Sequence, residues 1–488
     1  MLVGLTGCKE ETSGTNHIVM TYIYGMSIPK DLEKVEKAVS DYAYEKIGVT
    51  VEFLPISILE QSKYSTIVGV DTIDLMCVAF GDPIEYYSMD MLQKISDEDL
   101  QTYCPDILEM NKEYEMMVRE PKGGVIGIGT REIATVSGGT YVIRKSDLVA
   151  AGLSDKYVDQ QSIDLADLEV IFAALKEKFP TSYPIVSTSD ESGYSFAVDT
   201  LGSGNLASSG VLDLESDINT TTVVNYYETQ GYKDYIAFMR KCYQNEWISR
   251  SSETATSSKV DDFKSGKARG VFLDAASSLK DGYATDVNEE CVQLRIVDPY
   301  YVPLRNNGIM WGVCGTSKNV EATLKFMNLL WSDKKLMNMV QWGIEGEHFK
   351  VVDEENCIID YADGLTAETT GFYNGLGVFA DKRYIYQYVS TVMSIEDQIA
   401  SKNGDVEVAS KGALRPSKAG NFIYDSSKYT SQIANIEQVI NQYAKGLALG
   451  TGTEEDYNKM IELMKQAGID EVIADKQAQL DAYLASLK

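Results

Sequence analysis

His17-Ile18-Val19-Met20-Thr21-Tyr22-Ile23-Tyr24, with Gly25 behind it, reads as a β-strand opening into a loop. Pro29 then starts a helix in which Leu32, Val35, Val39, Tyr42 and Ile47 recur at helical spacing, and Gly48 closes it. Val49-Thr50-Val51-Glu52-Phe53-Leu54 is a second strand, and a short helix is expected from about Leu59. Ile73-Asp74-Leu75-Met76-Cys77-Val78-Ala79-Phe80 is a third strand, so nearly all apolar that it belongs at the centre of a parallel sheet. The order β-α-β-α-β predicts an open α/β sheet with ligand loops at the carboxyl ends of its strands. Tyr24-Gly25-Met26 and Gly81-Asp82 lie in those loops.

Two short strands follow at Val125–Gly129 and Thr140–Arg144, and a second α/β stretch begins after Gly152. There Leu165, Leu168, Ile171 and Leu175 mark a helix, and Tyr183-Pro184-Ile185-Val186 the strand after it. Residues 187–225 are rich in Ser, Gly, Thr and Asp and read as long loops. Tyr226–Trp247 is a strong helix, Phe263–Lys267 a helical turn, and Ala268–Leu273 a strand. Gly308–Val313 precedes a helix over Val320–Trp331, in which Phe326, Leu330 and Trp331 form a buried face. From Ser426 to Lys488 the pattern is helical, broken at Gly450-Thr451-Gly452 and at Gly468. Gly375-Leu376-Gly377-Val378-Phe379-Ala380 matches G-x-G-x-x-A formally, but no clear strand precedes it and no helical period follows, so it reads as a loop.

With 488 residues the chain is long enough for two or three domains, and it has no run of 18 or more apolar residues to span a membrane. The net charge of −29, from 44 Lys and Arg against 73 Asp and Glu, argues against nucleic acid and against docking on anionic lipid. Only two histidines, His17 and His348, occur, which nearly excludes a histidine metal site or a Ser-His-Asp triad. No G-x-S-x-G, H-E-x-x-H, phosphate-binding loop or calcium loop is present, and no cofactor or metal is expected. Tyrosine is abundant, 31 against 13 Phe and 4 Trp. Its flat apolar face and polar rim suit sugar rings, although packing accounts for most tyrosines in any fold.

Leu5-Thr6-Gly7-Cys8 resembles a bacterial lipobox, in which the cysteine thiol receives a diacylglycerol. Lys9–Asn16 behind it is polar and reads as a tether. Only Met1–Gly4 precede the motif, so the charged and apolar parts of a signal peptide are expected upstream of this start. The other six cysteines include no C-x-x-C pair, and Cys77 and Cys314 lie in apolar runs as expected of buried thiols; disulfides are not assignable from spacing.

Three segments carry a resemblance to a known family. Asp262-Phe263-Lys264-Ser265-Gly266-Lys267-Ala268-Arg269-Gly270-Val271-Phe272 is similar to an F-x-x-G-K-x-A segment. Phe326–Asp333 followed by Trp342-Gly343-Ile344-Glu345-Gly346 is similar to an N-L-L-x-x-D … G-I-E-G segment. Ile436–Tyr443, Leu447–Gly450, Ala467–Asp470 and Gln477–Tyr483 are similar to a C-terminal domain of unknown function. In this order, after a lipobox and a strand ending in Tyr24-Gly25, they resemble the extracellular solute-binding lipoproteins of ABC importers, carbohydrate-type (family 1). The resemblance implies a two-lobed periplasmic-binding-protein-like fold (type II), with crossing strands between the lobes and a helical C-terminal region. Residues 1–16 would be lipobox and tether. Residues 17–138 with 270–315 would form the first lobe, and 139–269 with 316–488 the second, its helical domain beginning near 370. It further implies a monomer, lipid-anchored through Cys8 on the outer face of the cytoplasmic membrane. This protein would capture a carbohydrate, an oligosaccharide by expectation, in an interlobe cleft and deliver it to permease subunits.

On this pattern the candidate ligand contacts are Tyr24, Gly25, Phe80 and Asp82 at strand ends of the first lobe, and Asp274 ending the strand that returns to it. Tyr141, Trp342, Arg131 and Glu345 join them, the last two as groups able to grip hydroxyls through charge-assisted bonds. Trp311 is the leading aromatic, because the flanking Gly312 is expected to leave its face open. Core packing is the rival reading for every aromatic, and Trp247 and Trp331 are read as structural. Two other functions compete: a secreted glycosidase acting through paired carboxylates, and a receptor for peptides or another solute on the same fold.

Overall fold

The computed structural model describes residues 16–486 except 26, 59, 61–63, 69–71, 80–82, 114–115, 120–122, 131–137, 186–196, 202–206, 256, 303–308, 375, 377–379, 391–392 and 421. The chain folds as two compact units, Met1–Arg131 with Asn307–Tyr388 and Glu132–Asn306 with Val389–Lys488. In unit 1, β1 (His17–Tyr24) runs parallel to β2 (Thr50–Ser57) along its whole length, from His17 opposite Thr50 to Tyr24 opposite Ser57. The intervening helix Leu32–Ile47 buries Leu32, Val35, Val39 and Ala43, the face its sequence period marked. β3 (Leu75–Ala79), fully buried, lies on the other side of β1; β4 (Met117–Arg119) and β5 (Val125–Gly129) form an antiparallel pair.

Unit 2 opens with β6 (Thr140–Arg144), β7 (Tyr183–Ile185), β8 (Val198–Asp199), β9 (Val211–Asp213) and β10 (Val223–Val224). It continues with β11 (Ala268–Leu273) and β12 (Cys291–Arg295). One sheet has the order β12-β6-β11-β7, and β10-β9-β8 form a second, antiparallel one. This second sheet occupies a region expected to be loops, since strands of two or three residues are too short to show alternation.

The chain then returns to unit 1. β13 (Ile309–Val313) enters between β3 and β5, antiparallel to both, and completes the order β2-β1-β3-β13-β5-β4. β3 is therefore central as expected, but in a mixed sheet. Helices Val320–Ser332 and Lys334–Trp342 pack onto the same core, followed by β14 (Phe349–Asp353), β15 (Ile358–Tyr361) and β16 (Gln387–Tyr388) in a small sheet. Helices Ile395–Ala413, Thr430–Ala448, Glu454–Gln466 and Ile469–Ser486 finish unit 2, the last three separated at Gly450-Thr451-Gly452 and at Gly468 as the sequence indicated.

The expected lobe boundaries need correction. Residues 270–306 stay in unit 2, because β11 and β12 flank β6 on either side. Residues 316–388 belong to unit 1, where Phe326, Leu330, Trp331, Leu336, Met337 and Val340 complete the core begun by β1–β3. Helical spacing showed which face of each helix is buried; it carries no information on which core receives that face.

Trp311, expected to be open, is fully buried on β13 with its ring edge-on to Trp331, 6.4 Å between centroids. Gly312 does the opposite of exposing it. A Cβ there would meet Leu92 Cδ2 at 2.7 Å and the Ile126 carbonyl at 2.8 Å, so the glycine admits neighbours into close packing. Trp331 is core as expected, its indole N–H donating to the Gly129 carbonyl at 3.1 Å. Asp74, buried ahead of β3, ties three strands together: its carboxylate accepts from Val19 N–H at 2.9 Å and from Ser317 Oγ at 2.5 Å, and its carbonyl from Cys314 N–H at 2.9 Å.

Two outcomes follow from this packing. Trp311→Ala leaves a cavity between β3, β5 and Trp331, and should lower stability by about 3–5 kcal/mol in denaturant unfolding followed by tryptophan fluorescence. A loss below about 1 kcal/mol would place the ring outside the core. The second concerns Cys77, Cys104, Cys242, Cys291, Cys314 and Cys357, all free and buried. Burial pushes the Cys104 and Cys291 thiols up to about 12, and those of Cys77 and Cys242 well above their ordinary value. A disulfide reagent at about pH 8 should therefore label none of the six in the native protein and all six in guanidinium.

Candidate functional site

The carboxyl end of β1 in unit 1 is bordered by an aromatic cluster drawn from four segments. The helix Lys334–Trp342 delivers the first ring. It stops because Gly343 takes φ 90°, and a Cβ there would strike His348 Nδ1 at 2.7 Å. The Trp342 indole N–H donates to the Tyr386 carbonyl at 2.9 Å, which fixes the ring, and its centroid lies 5.3 Å from Tyr373 and 5.2 Å from Tyr388. Tyr388 on β16 stacks on Tyr361 at the end of β15, centroids 4.2 Å apart and planes 23° off parallel. That pairing follows from the register, in which Tyr388 lies beside Ile359 and diagonally next to Tyr361. Trp342 is 8% exposed, Tyr361 and Tyr388 are half-buried, and Tyr373 is 50% exposed.

Asn374 fastens this cluster to the sheet. Its side-chain amide donates to the Ile23 carbonyl at 3.0 Å, its backbone N–H to Gln341 at 3.3 Å, and its own carbonyl accepts from the Gln341 side chain. Tyr24 and Tyr373 thus flank the two ends of one hydrogen bond. Further back, His348 is buried, its Nδ1 accepting from Ile344 N–H at 2.9 Å and its Nε2 lying 3.2 Å from Asp31. Desolvation first, then the neighbouring Tyr373, Glu368 and Asp360, raise the Tyr361 phenol; desolvation followed by Tyr361, Tyr373 and Asp360 raises that of Tyr388. Both rings stay neutral at physiological pH, apolar on the face and hydrogen-bonding at the rim. Among the described residues, no group of three or more His, Cys, Asp or Glu is placed to hold a metal ion.

Of the sequence-predicted residues, Trp342 belongs to this cluster, while Tyr24 and Gly25 directly follow Ile23, which Asn374 bonds; Tyr24 is half-buried, and Gly25 faces Leu376. Tyr141 is a core residue of unit 2, fully buried, its hydroxyl donating to the Pro184 carbonyl at 2.7 Å; a Cβ at Gly270 would come within 2.2 Å of its ring. Trp311 is likewise core, for the packing reason given above. Asp274 is exposed at the end of β11 in unit 2, where its carbonyl accepts from Thr140 Oγ1 at 3.1 Å. Glu345, also exposed, lines a hollow of about 290 Å³ with Lys334, Lys335, Phe349, Glu354 and Tyr386. Phe80, Asp82, Arg131 and Cys8 lie outside the described residues, as does most of the Gly375–Ala380 loop. Tyr361, Tyr373 and Tyr388 were missed. The tyrosine excess was the available signal, but nothing in their spacing brings three separate segments to one place.

Comparisons with known proteins agree with this architecture. A family profile described as a domain of unknown function (DUF3502) matches residues 418–485, the last helices of unit 2. A carbohydrate ABC transporter substrate-binding protein of Streptococcus pneumoniae serotype 4 is 24% identical over 288 residues, 57% of this chain. The match spans about half of that relative's length, 54%. The crystal structure of the N-glycan transport solute-binding protein NgtS from Streptococcus pneumoniae superposes with a TM-score of 0.76 at 19% identity, covering 96% of this chain and 100% of that one. The same protein in complex with Man1GlcNAc gives 0.66 at 19% identity, over 96% and 99% of the two chains. An HMO-binding, ABC-transporter-associated solute-binding protein from Bifidobacterium longum infantis gives 0.65 at 15% identity, over 97% and 100%. This chain therefore has the fold of the two-lobed solute-binding proteins of ABC transporters, is similar in part of its sequence to one named a carbohydrate ABC transporter substrate-binding protein, and matches the DUF3502 profile over its C-terminal helices.

Proposed function

We propose that the chain is the extracellular solute-binding receptor of an ABC importer. It holds an oligosaccharide against the rings of Trp342, Tyr361, Tyr373 and Tyr388 and passes it unreacted to the permease. The observation that carries this reading is a half-exposed aromatic platform at a strand end, on a fold whose NgtS relative is known in complex with Man1GlcNAc. Sugar C–H faces stack on such rings while their hydroxyls bond at the phenolic rim, and rigid aromatic side chains lose little entropy on binding. Tyr24 and Gly25 follow Ile23, whose carbonyl Asn374 bonds beside the platform. Lipidation of Cys8 would hold the receptor at the membrane; no helix among the described residues is long and apolar enough to cross one.

Titration with mannose–N-acetylglucosamine oligosaccharides and kestose should give one-to-one heat of binding without products. A ligand at 100 times its Kd adds about 2.7 kcal/mol to stability. Tyr373→Ala, at a half-exposed position, should leave the fold intact and weaken binding about 5- to 30-fold, the loss of one stacking ring at roughly 1–2 kcal/mol. Turnover of the sugar would replace the receptor by an enzyme, and unchanged affinity would remove Tyr373 from the site. With the complete gene expressed in a bacterium, Cys8→Ser should move the protein from the membrane fraction to the soluble one. Retention in the membrane would overturn the lipid anchor.

A further inference from the structure

We infer that the ligand is an uncharged oligosaccharide, and that glycans bearing uronate, sialic acid or sulfate are rejected at the aromatic platform; this rests on the carbohydrate reading above. Residues 342–388 build every ring of the platform, and in that stretch nine carboxylates stand against three Lys and Arg. Two of these cations are already engaged. Lys350 pairs with Asp363 at 2.7 Å, and Arg383 is gripped by Asp381, Nε at 3.0 Å and Nη2 at 2.6 Å, with the Asp381 side chain fully buried. The third, Lys382, carries interactions of its own.

The carboxylates of this segment include direct chain neighbours of the rings. Asp360 immediately precedes Tyr361 and acts through space on both Tyr361 and Tyr388, while exposed Glu368 acts on Tyr361. Carboxylates and phenol oxygens accept hydrogen bonds from neutral sugar hydroxyls. The carboxylates repel an anionic sugar, and a phenol hydroxyl can donate to it but supplies no counter-charge, the usual means of rejecting a wrong ligand. Capture of anionic glycans calls for arginine in forked contact with the carboxylate or sulfate, and the described residues of this segment hold their single arginine elsewhere. The formal charge of −29 adds a long-range bias of the same sign.

The test is a titration of the whole protein with matched glycans. The neutral set comprises mannose–N-acetylglucosamine oligosaccharides, kestose and a galactose-terminated N-glycan; the anionic set comprises the sialylated form of that N-glycan and mannuronate oligomers. At low salt the best anionic glycan should bind at least about 30-fold more weakly than the best neutral one. The gap should narrow as salt approaches about 0.5 M, because screening weakens repulsion between partly exposed charges. Replacing Asp360→Asn and Glu368→Gln together should narrow it at low salt as well. An anionic glycan that binds within about threefold of the best neutral one, or more tightly, overturns the inference and leaves the carbohydrate reading intact. Loss of such binding in Arg131→Ala would then locate the overlooked cation. Failure of every glycan in both sets overturns the carbohydrate reading itself, and this inference with it.

Discussion

Unit 1 depends on one insertion: β13 between β3 and β5. Until Ile309 pairs with Ala79, and Met310 with Gly129, both β3 and β5 present an unpaired backbone edge, which is costly to bury and prone to wrong pairing. The strand that satisfies them arrives only after the whole first segment of unit 2. Closing so long a loop costs little more than closing one of half its length, but contacts this distant in sequence form slowly. Once in place, β13 brings Trp311 against Trp331, and Asp74 draws the start of β3 to β1 and to Ser317 beyond β13.

The return that completes the sheet also supplies the candidate site. After β13 the chain contributes two core helices, and the second ends on Trp342, with its indole N–H already spent on Tyr386. The rings that meet it come from residues farther along the same excursion, and Asn374 anchors them to Ile23 at the end of β1. The platform is thus held by side-chain hydrogen bonds to main-chain carbonyls of the sheet and core. Such preorganisation lets binding energy go to the ligand rather than to ordering the protein.

Unit 2 shows where much of the tyrosine excess goes. Tyr226, Tyr227, Tyr232 and Tyr235 pack in a chain, with Tyr227 and Tyr232 at 4.9 Å, and Tyr457 of a C-terminal helix donates its hydroxyl to the Tyr227 carbonyl at 3.0 Å. The last helix is bound to the β10-β9-β8 sheet through Lys476, fully buried, whose ammonium donates to Thr200 O at 2.8 Å, Ser209 Oγ at 3.0 Å and Gly210 O at 2.9 Å. A charge placed there resists any register other than the one that gathers those three oxygens.

Local pattern determined most of the elements. The strand at His17–Tyr24, the helix closed by Gly48, the apolar strand around Cys77, the strand Ala268–Leu273 and the C-terminal helices follow from periodicity, capping and glycine breaks, because those signals act within a few residues. The sequence alone likewise identified Trp331 as core. Tertiary structure decided the rest. It sent residues 316–388 to unit 1 rather than to the second lobe, closed Trp311 behind a glycine that admits neighbours instead of opening a face, and buried Tyr141 against Gly270. It alone gathered Tyr361, Tyr373 and Tyr388 around Trp342. A periodic face specifies that a residue is buried, or a strand end that it is exposed; which partner meets it depends on chain returns across hundreds of residues, and no short-range preference encodes those.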